Sequence, residues 1–454
     1  MIAADFFFEK IEMKLYKIPF GVWSILFLLV CLERLPAQSF VPAIPSIVDL
    51  ELRSQIALGS PDRLRKWTEQ KLATANSKLS DKSILLQDGT RVRLVLLHRL
   101  LNSFQGPELE SVLSGAEGQQ FLLDLCGDDR LLKGCFGRPP QGEVLRVWPQ
   151  GSLNTWLEIW KKSGTLERRK TGMVAAACAL TLSGEGIKDA QGRRLIPSEV
   201  YSWFKDSIER HDFVVNLDML TFEELCVLAK VPRSMEEMAY LRRTTKPASS
   251  RWETLANNGG RVRYTLFNKE GISVQDEGFY NGEPGTLQVM ERKGGVCGAI
   301  STFGAAACRS RGVPATTVGQ PGHCAFIWLN KDYKWILGND VGGWSVVEGG
   351  LGLLSPWEDK GVWLRVIETL RFKEQCLLAE LWVESSAMMG SDLRLNQLRL
   401  AVKACPSHPT VWRLLLKFVP PDERKQILAS AKQALSIYPP EVFSWVLKTE
   451  SEFK

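Results

Sequence analysis

Apolar residues recur at spacings of three and four over Leu64–Leu79, Val92–Phe104, Leu109–Leu125, Leu153–Lys162 and Pro197–Arg210, which predicts a succession of amphipathic helices. Turn signals such as Gln87-Asp88-Gly89 and Gly184-Glu185-Gly186 separate them, and Pro139-Pro140 and Pro247-Ala248-Ser249-Ser250 read as joints. Residues 45–246 are therefore expected to form a helical region of one or two lobes without chemistry of its own. Near Arg251 the pattern changes. Arg261–Phe267 alternates like a strand, and Asn268-Lys269-Glu270-Gly271 is a turn into Ile272–Val274. A helix is expected to open at Cys297, run through Ala299, Phe303, Ala306, Ala307 and Cys308, and stop at Gly312. Three apolar runs follow, Pro314–Val318, Cys324–Leu329 and Tyr333–Leu337. A helix feeding a short antiparallel sheet makes 251–370 an α+β segment. Residues 375–454 are helical again, with a faint repeat in which Pro409 and Trp412 recur as Pro440 and Phe443. That spacing suggests a tetratricopeptide-like pair, too few units for a free-standing solenoid and better suited to capping the preceding segment.

At 454 residues the chain has room for two to four domains. A formal charge of +6 without a long basic block, and fifteen scattered tryptophans, exclude a dedicated nucleic-acid surface. The apolar run Ile18–Leu32 follows Lys14 and Lys17 and precedes Leu35-Pro36-Ala37-Gln38. This is the order of a secretory signal peptide, with cleavage expected after Ala37 and Met13 as the more usual start. The protein is accordingly expected to be secreted or periplasmic. The run is short for a membrane span, so a membrane is implicated only if that segment stays uncleaved.

Of ten cysteines, Cys297 carries the chemistry. Lys293-Gly294-Gly295-Val296-Cys297-Gly298 reads as a glycine turn delivering a thiol to the first turn of a helix, where the macrodipole favours thiolate. Glycines on both sides let the backbone approach a substrate and offer N–H groups to an oxyanion. Cys308, three helical turns on, reads as core, as does Cys178 in an alanine run. Cys126 and Cys135 are close enough in sequence to form one pair, and no CxxC motif indicates zinc. Among four histidines, His98 lies in a helical stretch, and His211 and His408 lie in turns. His323 follows the turn Gly319-Gln320-Pro321-Gly322 and begins a strand, which makes it the candidate base. If Asn330 pairs with Tyr333 across a two-residue loop, His323 stands directly opposite Asp340, within reach of a His–carboxylate hydrogen bond. An odd loop, or a bulge at Gly338, brings Asn339 there instead. The candidate catalytic set is thus Cys297, His323 and Asp340, with Asn339 as the alternative to Asp340 and no metal or organic cofactor implied.

Arg292–Trp344 resembles the transglutaminase-like, papain-related superfamily. The shared pattern is a glycine-led cysteine opening a helix, the phrase Arg311-Gly312-Val313-Pro314-Ala315, a histidine beginning a strand, and a tryptophan-led strand (Trp335) ending in aspartate. This chain departs from the pattern in three places. Cys324-Ala325-Phe326 replaces the usual aromatic neighbour of the histidine, the aspartate comes one residue late behind Asn339, and Thr316 stands where an arginine is usual. The resemblance implies a papain-like core over about Arg251–Trp357, flanked by helical regions. It also implies thiol-dependent acyl transfer on a protein or peptide amide, hydrolytic or crosslinking, with Cys297 as nucleophile, His323 as base and acid, and Asp340 orienting the imidazole. Some relatives keep this fold for protein binding or assembly without catalysis, so a non-catalytic module is the competing expectation.

Overall fold

The structure is a computed structural model that describes residues 50–77, 89–137, 148–184, 186–245, 252–320, 322–340, 348–349, 379, 381–383, 386, 391–437 and 440–447. All of them belong to the unit Val41–Lys454. The expected signal peptide and both proline joints lie outside the described residues.

The first half is helical, as its periodicity predicts. In order come α1 (Leu50–Ala57), α2 (Pro61–Ser77), α3 (Gly89–Ser103), α4 (Gly106–Leu113), α5 (Ala116–Gly127), α6 (Asp129–Phe136), α7 (Ser152–Lys162), α8 (Thr165–Leu182), α9 (Pro197–Glu209), α10 (Phe222–Ala229) and α11 (Met235–Thr244). The single helix expected over Leu109–Leu125 is in fact two. Gly115 is extended (φ −116°, ψ 145°) and lets the chain fold back. There Gly118 meets the Val112 carbonyl so closely that a β-carbon would sit 1.9 Å from its oxygen.

Helix α8 lies at the centre, with Thr171–Leu182 buried on every side except Met173. Its run Ala175–Ala179 has little side-chain volume, so α7, α9 and α10 all pack directly on it. Above this layer, Trp148 is 1% exposed and has Phe104, Phe136, Trp156 and Phe222 around it at 5.0–5.8 Å between ring centroids. Aromatic burial on this scale contributes about 2–3 kcal/mol per ring.

The second half begins with a four-residue helix, α12 (Glu253–Ala256), and a 3₁₀ turn, Asn257–Arg261. The strand expected over Arg261–Phe267 does not form. Tyr264 makes one parallel bridge to Gly295 and Phe267 one antiparallel bridge to Ser273. The expected turn between them does exist, closed by the Asn268 N–H on the Ile272 carbonyl at 2.9 Å. Next come α13 (Leu287–Lys293) and α14 (Cys297–Ser310), then a four-stranded antiparallel sheet in the order β3-β2-β1-β4. Its strands are β1 (Ala315–Gln320), β2 (His323–Leu329), β3 (Trp335–Gly338) and the two-residue β4 (Glu348–Gly349). A mostly helical chain with one small antiparallel sheet is α+β.

Helix α14 is held at both ends and on both faces. Ala299, Phe303, Ala306 and Ala307 pack with Leu241, Val262 and Leu287, while Ala305 and Cys308 face the main core. Gly304 brings the helix onto β2, since a β-carbon there would lie 2.8 Å from the Phe326 ring. At its C-terminal end Gly312 adopts φ +81°. There the Arg242 guanidinium donates to the Ser310 carbonyl at 3.2 Å, to Asp212 at 2.9 Å and to Ser207 at 2.8 Å.

The last four helices are α15 (Ser391–Ala404), α16 (Pro409–Phe418), α17 (Pro421–Ala434) and α18 (Pro440–Leu447). Pro409 and Pro440 both open helices, as the repeat suggests, because a proline at the first helical position forfeits no intrahelical hydrogen bond. Trp412, Leu415, Ala431 and Leu435 build a small core of their own. Ala401, Cys405 and Val411 join the main core instead, which runs continuously from Leu52 through the sheet to Val411.

Candidate active site

The thiol of Cys297 is placed by the glycine turn before it. Gly294 sits at φ +86° and ψ −166°, and a β-carbon there would lie 2.6 Å from the Arg263 carbonyl oxygen. Gly295 donates its N–H to that carbonyl at 3.1 Å and accepts from the Thr265 N–H at 2.9 Å. The alternating segment that looked like a strand is therefore a splint for this turn. Val296 is extended, and Cys297 is the first residue of α14, half-buried. Among the described residues the N–H groups of Cys297 and Gly298 have no hydrogen-bond partner, whereas Ala299 and Ile300 both donate to Val296 O. A helix start leaves such donors free.

His323 begins β2 opposite Gln320, and the turn between them contains Gly322 at φ +67°. The register beyond it differs from expectation. Asn330 and Lys334 close the β2–β3 loop, with Asn330 N–H on Lys334 O at 2.9 Å, so the loop has three residues rather than two. Two features select that length. The Asn330 side chain accepts the N–H groups of Asp332 at 3.0 Å and Lys334 at 2.8 Å, and Tyr333 takes the left-handed conformation at φ +58°. Each residue of β3 is consequently displaced by one position, and the ladder ends with Phe326 opposite Gly338.

The displacement takes Asp340 off His323, and what reaches the ring is set by the chain turning out of the ladder after Gly338. Asp340 does not; its Oδ1 accepts the Gln320 side-chain N–H at 2.6 Å. Asn339 does, through its main chain, with its carbonyl oxygen 2.6 Å from His323 Nε2. A carbonyl only accepts, so Nε2 carries the proton and a neutral ring keeps Nδ1 as its free lone pair. Asn339 stands at φ +54° and turns its amide back toward α14. Its Nδ2 donates to Ser301 Oγ at 2.9 Å, to the Cys324 carbonyl at 3.2 Å and to the Cys297 carbonyl at 3.3 Å. The Ser301 hydroxyl, fully buried one turn after Cys297, donates to the same Cys324 carbonyl at 2.8 Å. One residue thus joins the first turn of α14 to the first residues of β2. Among the described residues no hydrogen bond links the Cys297 thiol to the His323 ring.

Of the eight described cysteines, all free, Cys297 and Cys324 alone are not buried. Cys126 and Cys135 are buried free thiols rather than a pair. Burial pushes the Cys324 thiol up from its ordinary value, its neighbour Cys297 pushes in the same direction, and the Ser301 hydroxyl opposes them. Beside the N-terminal end of α14 lies an open cavity of about 520 Å³, lined by Asp276, Phe279, Tyr280, Glu283, Met290 and Val296 among others. Two larger cavities, about 850 and 690 Å³, are lined instead by residues of the N-terminal helical half. The cavity at α14 is smaller and more polar, and its lining residues Val296 and Ala299 flank Cys297 and Gly298 in the chain.

Asn339, Ser301 and Cys324 hold the site together. The sequence pattern points to Asn339 only through its side chain, and Ser301 is not among the residues it singles out. Its spacing of four from Cys297, on the same helical face, was the available signal. Among the described residues no three His, Cys, Asp or Glu side chains converge as metal ligands, and no helix is long and apolar enough to cross a membrane. Compared with protein-family models, with curated proteins and with solved structures, the chain matches none.

Proposed function

We propose that the protein is a thiol-dependent acyl-transfer enzyme with a papain-like, transglutaminase-like core, acting on protein or peptide amides. The observation that carries the reading is the double engagement of Asn339. Its main-chain carbonyl takes His323 Nε2, while its side chain holds the Cys297 end of α14. In the reaction, His323 Nδ1 accepts the Cys297 proton and Sγ attacks the amide carbon. The oxyanion takes the free N–H groups at the start of α14. In the same proposal the Gln288 side-chain Nε2 is the further donor to the oxyanion; its Oε1 is buried without a hydrogen-bond partner among the described residues. His323 then protonates the amine as the C–N bond breaks, leaving a thioester on Cys297. Water completes hydrolysis and an amine completes crosslinking. Export by the N-terminal segment is part of the same proposal.

A second reading, a non-catalytic binding or assembly module, draws on the absence of a Cys297–His323 hydrogen bond among the described residues and on Asp340 serving Gln320. Iodoacetamide separates the two. The catalytic reading expects Cys297 to be alkylated near pH ~6 well above the rate of an ordinary thiol, with His323→Ala abolishing the excess. Equal rates in both proteins, at the level of a free thiol, establish the binding module.

A further inference from the structure

We infer that Cys297 and Cys324 form a redox pair, closing to a disulfide that ties the first turn of α14 to the start of β2 under peroxide. The two thiols are the only accessible ones among the described cysteines, and they sit on facing elements. Their carbonyl oxygens lie 3.3 and 3.2 Å from a single atom, Asn339 Nδ2. Ser301 bridges the same helix and strand from the next turn, with its hydroxyl on the Cys324 carbonyl. Helix α14 and β2 are also packed through Gly304 and Phe326, so the separation of the two residues is set by the core rather than by a loose loop. The remaining described thiols, including Cys308 on the same helix, are buried and out of reach of an aqueous oxidant.

The chemistry balances with a hydroperoxide as oxidant. The Cys297 thiolate attacks the peroxide oxygen, the O–O bond breaks, and sulfenic acid and hydroxide (or alkoxide) form. Cys324 sulfur then attacks the sulfenic sulfur, the S–O bond breaks, and water leaves with the Cys324 proton. Two thiols are oxidised by two electrons and one peroxide is reduced. A pair closed in this way removes the Cys297 nucleophile reversibly and shields it from sulfinic acid. The inference requires only two neighbouring thiols, so it stands whether Cys297 acts as an enzyme nucleophile or not.

The test is read by mass rather than by activity. The folded full chain is titrated with hydrogen peroxide, alkylated, digested without reductant and mapped. The expected result is one Cys297–Cys324 linked peptide, a loss of two hydrogens from the protein and full recovery on reduction. Cys324→Ser is expected to lose the link and to carry sulfinic acid at Cys297 instead, at a dose that leaves the native pair recoverable. Phenylarsine oxide, which bridges two neighbouring thiols, supplies an independent measure on unoxidised protein. One equivalent should block both cysteines in the native chain and neither stably in Cys324→Ser. The inference is overturned if Cys297 reaches sulfinic acid at the same dose in both proteins, or if the link is absent and the arsenical binds both alike.

Discussion

Asn339 is the residue whose replacement tests most of the site at once. Its amide supplies two hydrogens to three oxygens on α14 and β2. At about 1 kcal/mol net per hydrogen bond, Asn339→Ala loses about 2 kcal/mol. The alanine must also hold φ +54°, which adds about 1 kcal/mol for a residue with a β-carbon and no polar group. Asn339→Gly loses the same hydrogen bonds without that backbone cost, and is expected to be less damaging than alanine by about 1 kcal/mol. Asn339→Asp sets a carboxylate against two carbonyl oxygens, with only the Ser301 hydroxyl able to turn and donate, and is expected to be the worst of the three. The assay is urea unfolding, comparing midpoints at a common m value. All three variants keep the main-chain carbonyl that holds His323 Nε2. Any His323-dependent excess in Cys297 alkylation should therefore outlast the loss in stability. An aspartate variant as stable as the parent, or an alanine variant within about 0.5 kcal/mol of it, refutes the reasoning.

Three further outcomes are expected. Burial raises the Cys126 thiol from an ordinary value of 9.0 to about 12, and burial also raises Cys178 and Cys308. These protonated thiols stabilise the fold fully below the unfolded value, and that contribution is lost as pH rises from about 9 toward 12. Cys126→Ala should reduce the alkaline slope of unfolding free energy by about 1.4 kcal/mol per pH unit, and an unchanged slope refutes it. Gly118→Ala should cost about 2 kcal/mol or more, because the new methyl would press on the Val112 carbonyl at 1.9 Å. A neutral melting shift would show that α4 and α5 separate freely. Ser234 caps α11, accepting the Glu237 N–H at 3.2 Å, while Glu237 accepts the Ser234 N–H at 3.0 Å and the Leu287 N–H at 2.8 Å. Ser234→Ala should cost about 1 kcal/mol. Glu237→Ala should cost more, since it also frees the start of α13; equal losses would show that the link to Leu287 carries nothing.

Local information located most of the elements, and non-local packing accounts for the discrepancies. The helices of the first half announce themselves because one buried stripe of Leu, Phe and Trp repeats at helical spacing. The break at Gly115 does not, since the apolar spacing runs across it and only the approach of Gly118 to Val112 demands it. Arg261–Phe267 alternates as a strand does, yet its partner is a glycine turn with room for one bridge, so a period of two marks docking rather than a ladder. Cys297 at the start of a helix and His323 at the start of a strand follow from flanking glycines visible in the chain. The third partner rested on loop length, which turns on Asn330 capping its own loop and on Tyr333 accepting a left-handed backbone. Neither leaves a periodic signal.

One residue in that loop separates two different chemistries at His323. A two-residue loop would have set a carboxylate on the imidazole, which both orients the ring and supplies a full negative charge to an imidazolium. With the three-residue loop the ladder ends at Gly338, and the left-handed turn at Asn339 brings its carbonyl onto the ring instead, at 2.6 Å. The Asp340 carboxylate is left exposed and bound to Gln320. A carbonyl dictates the tautomer as firmly as a carboxylate, because neither can donate. It carries only a partial charge, however, and cannot serve as a counter-ion. Orientation is therefore built into the backbone, which no side-chain substitution at 339 removes, while charge stabilisation must come from elsewhere or be done without. Recasting the loop as a two-residue turn, through Lys331→Asn with Asp332→Gly, would let Asn330 pair with Tyr333, restore the other register and bring Asp340 opposite His323. If the carboxylate is what an efficient thiol–imidazole pair lacks here, that double replacement should raise the His323-dependent alkylation of Cys297. A fall would mean that the carbonyl and the amide of Asn339 already provide all the site uses.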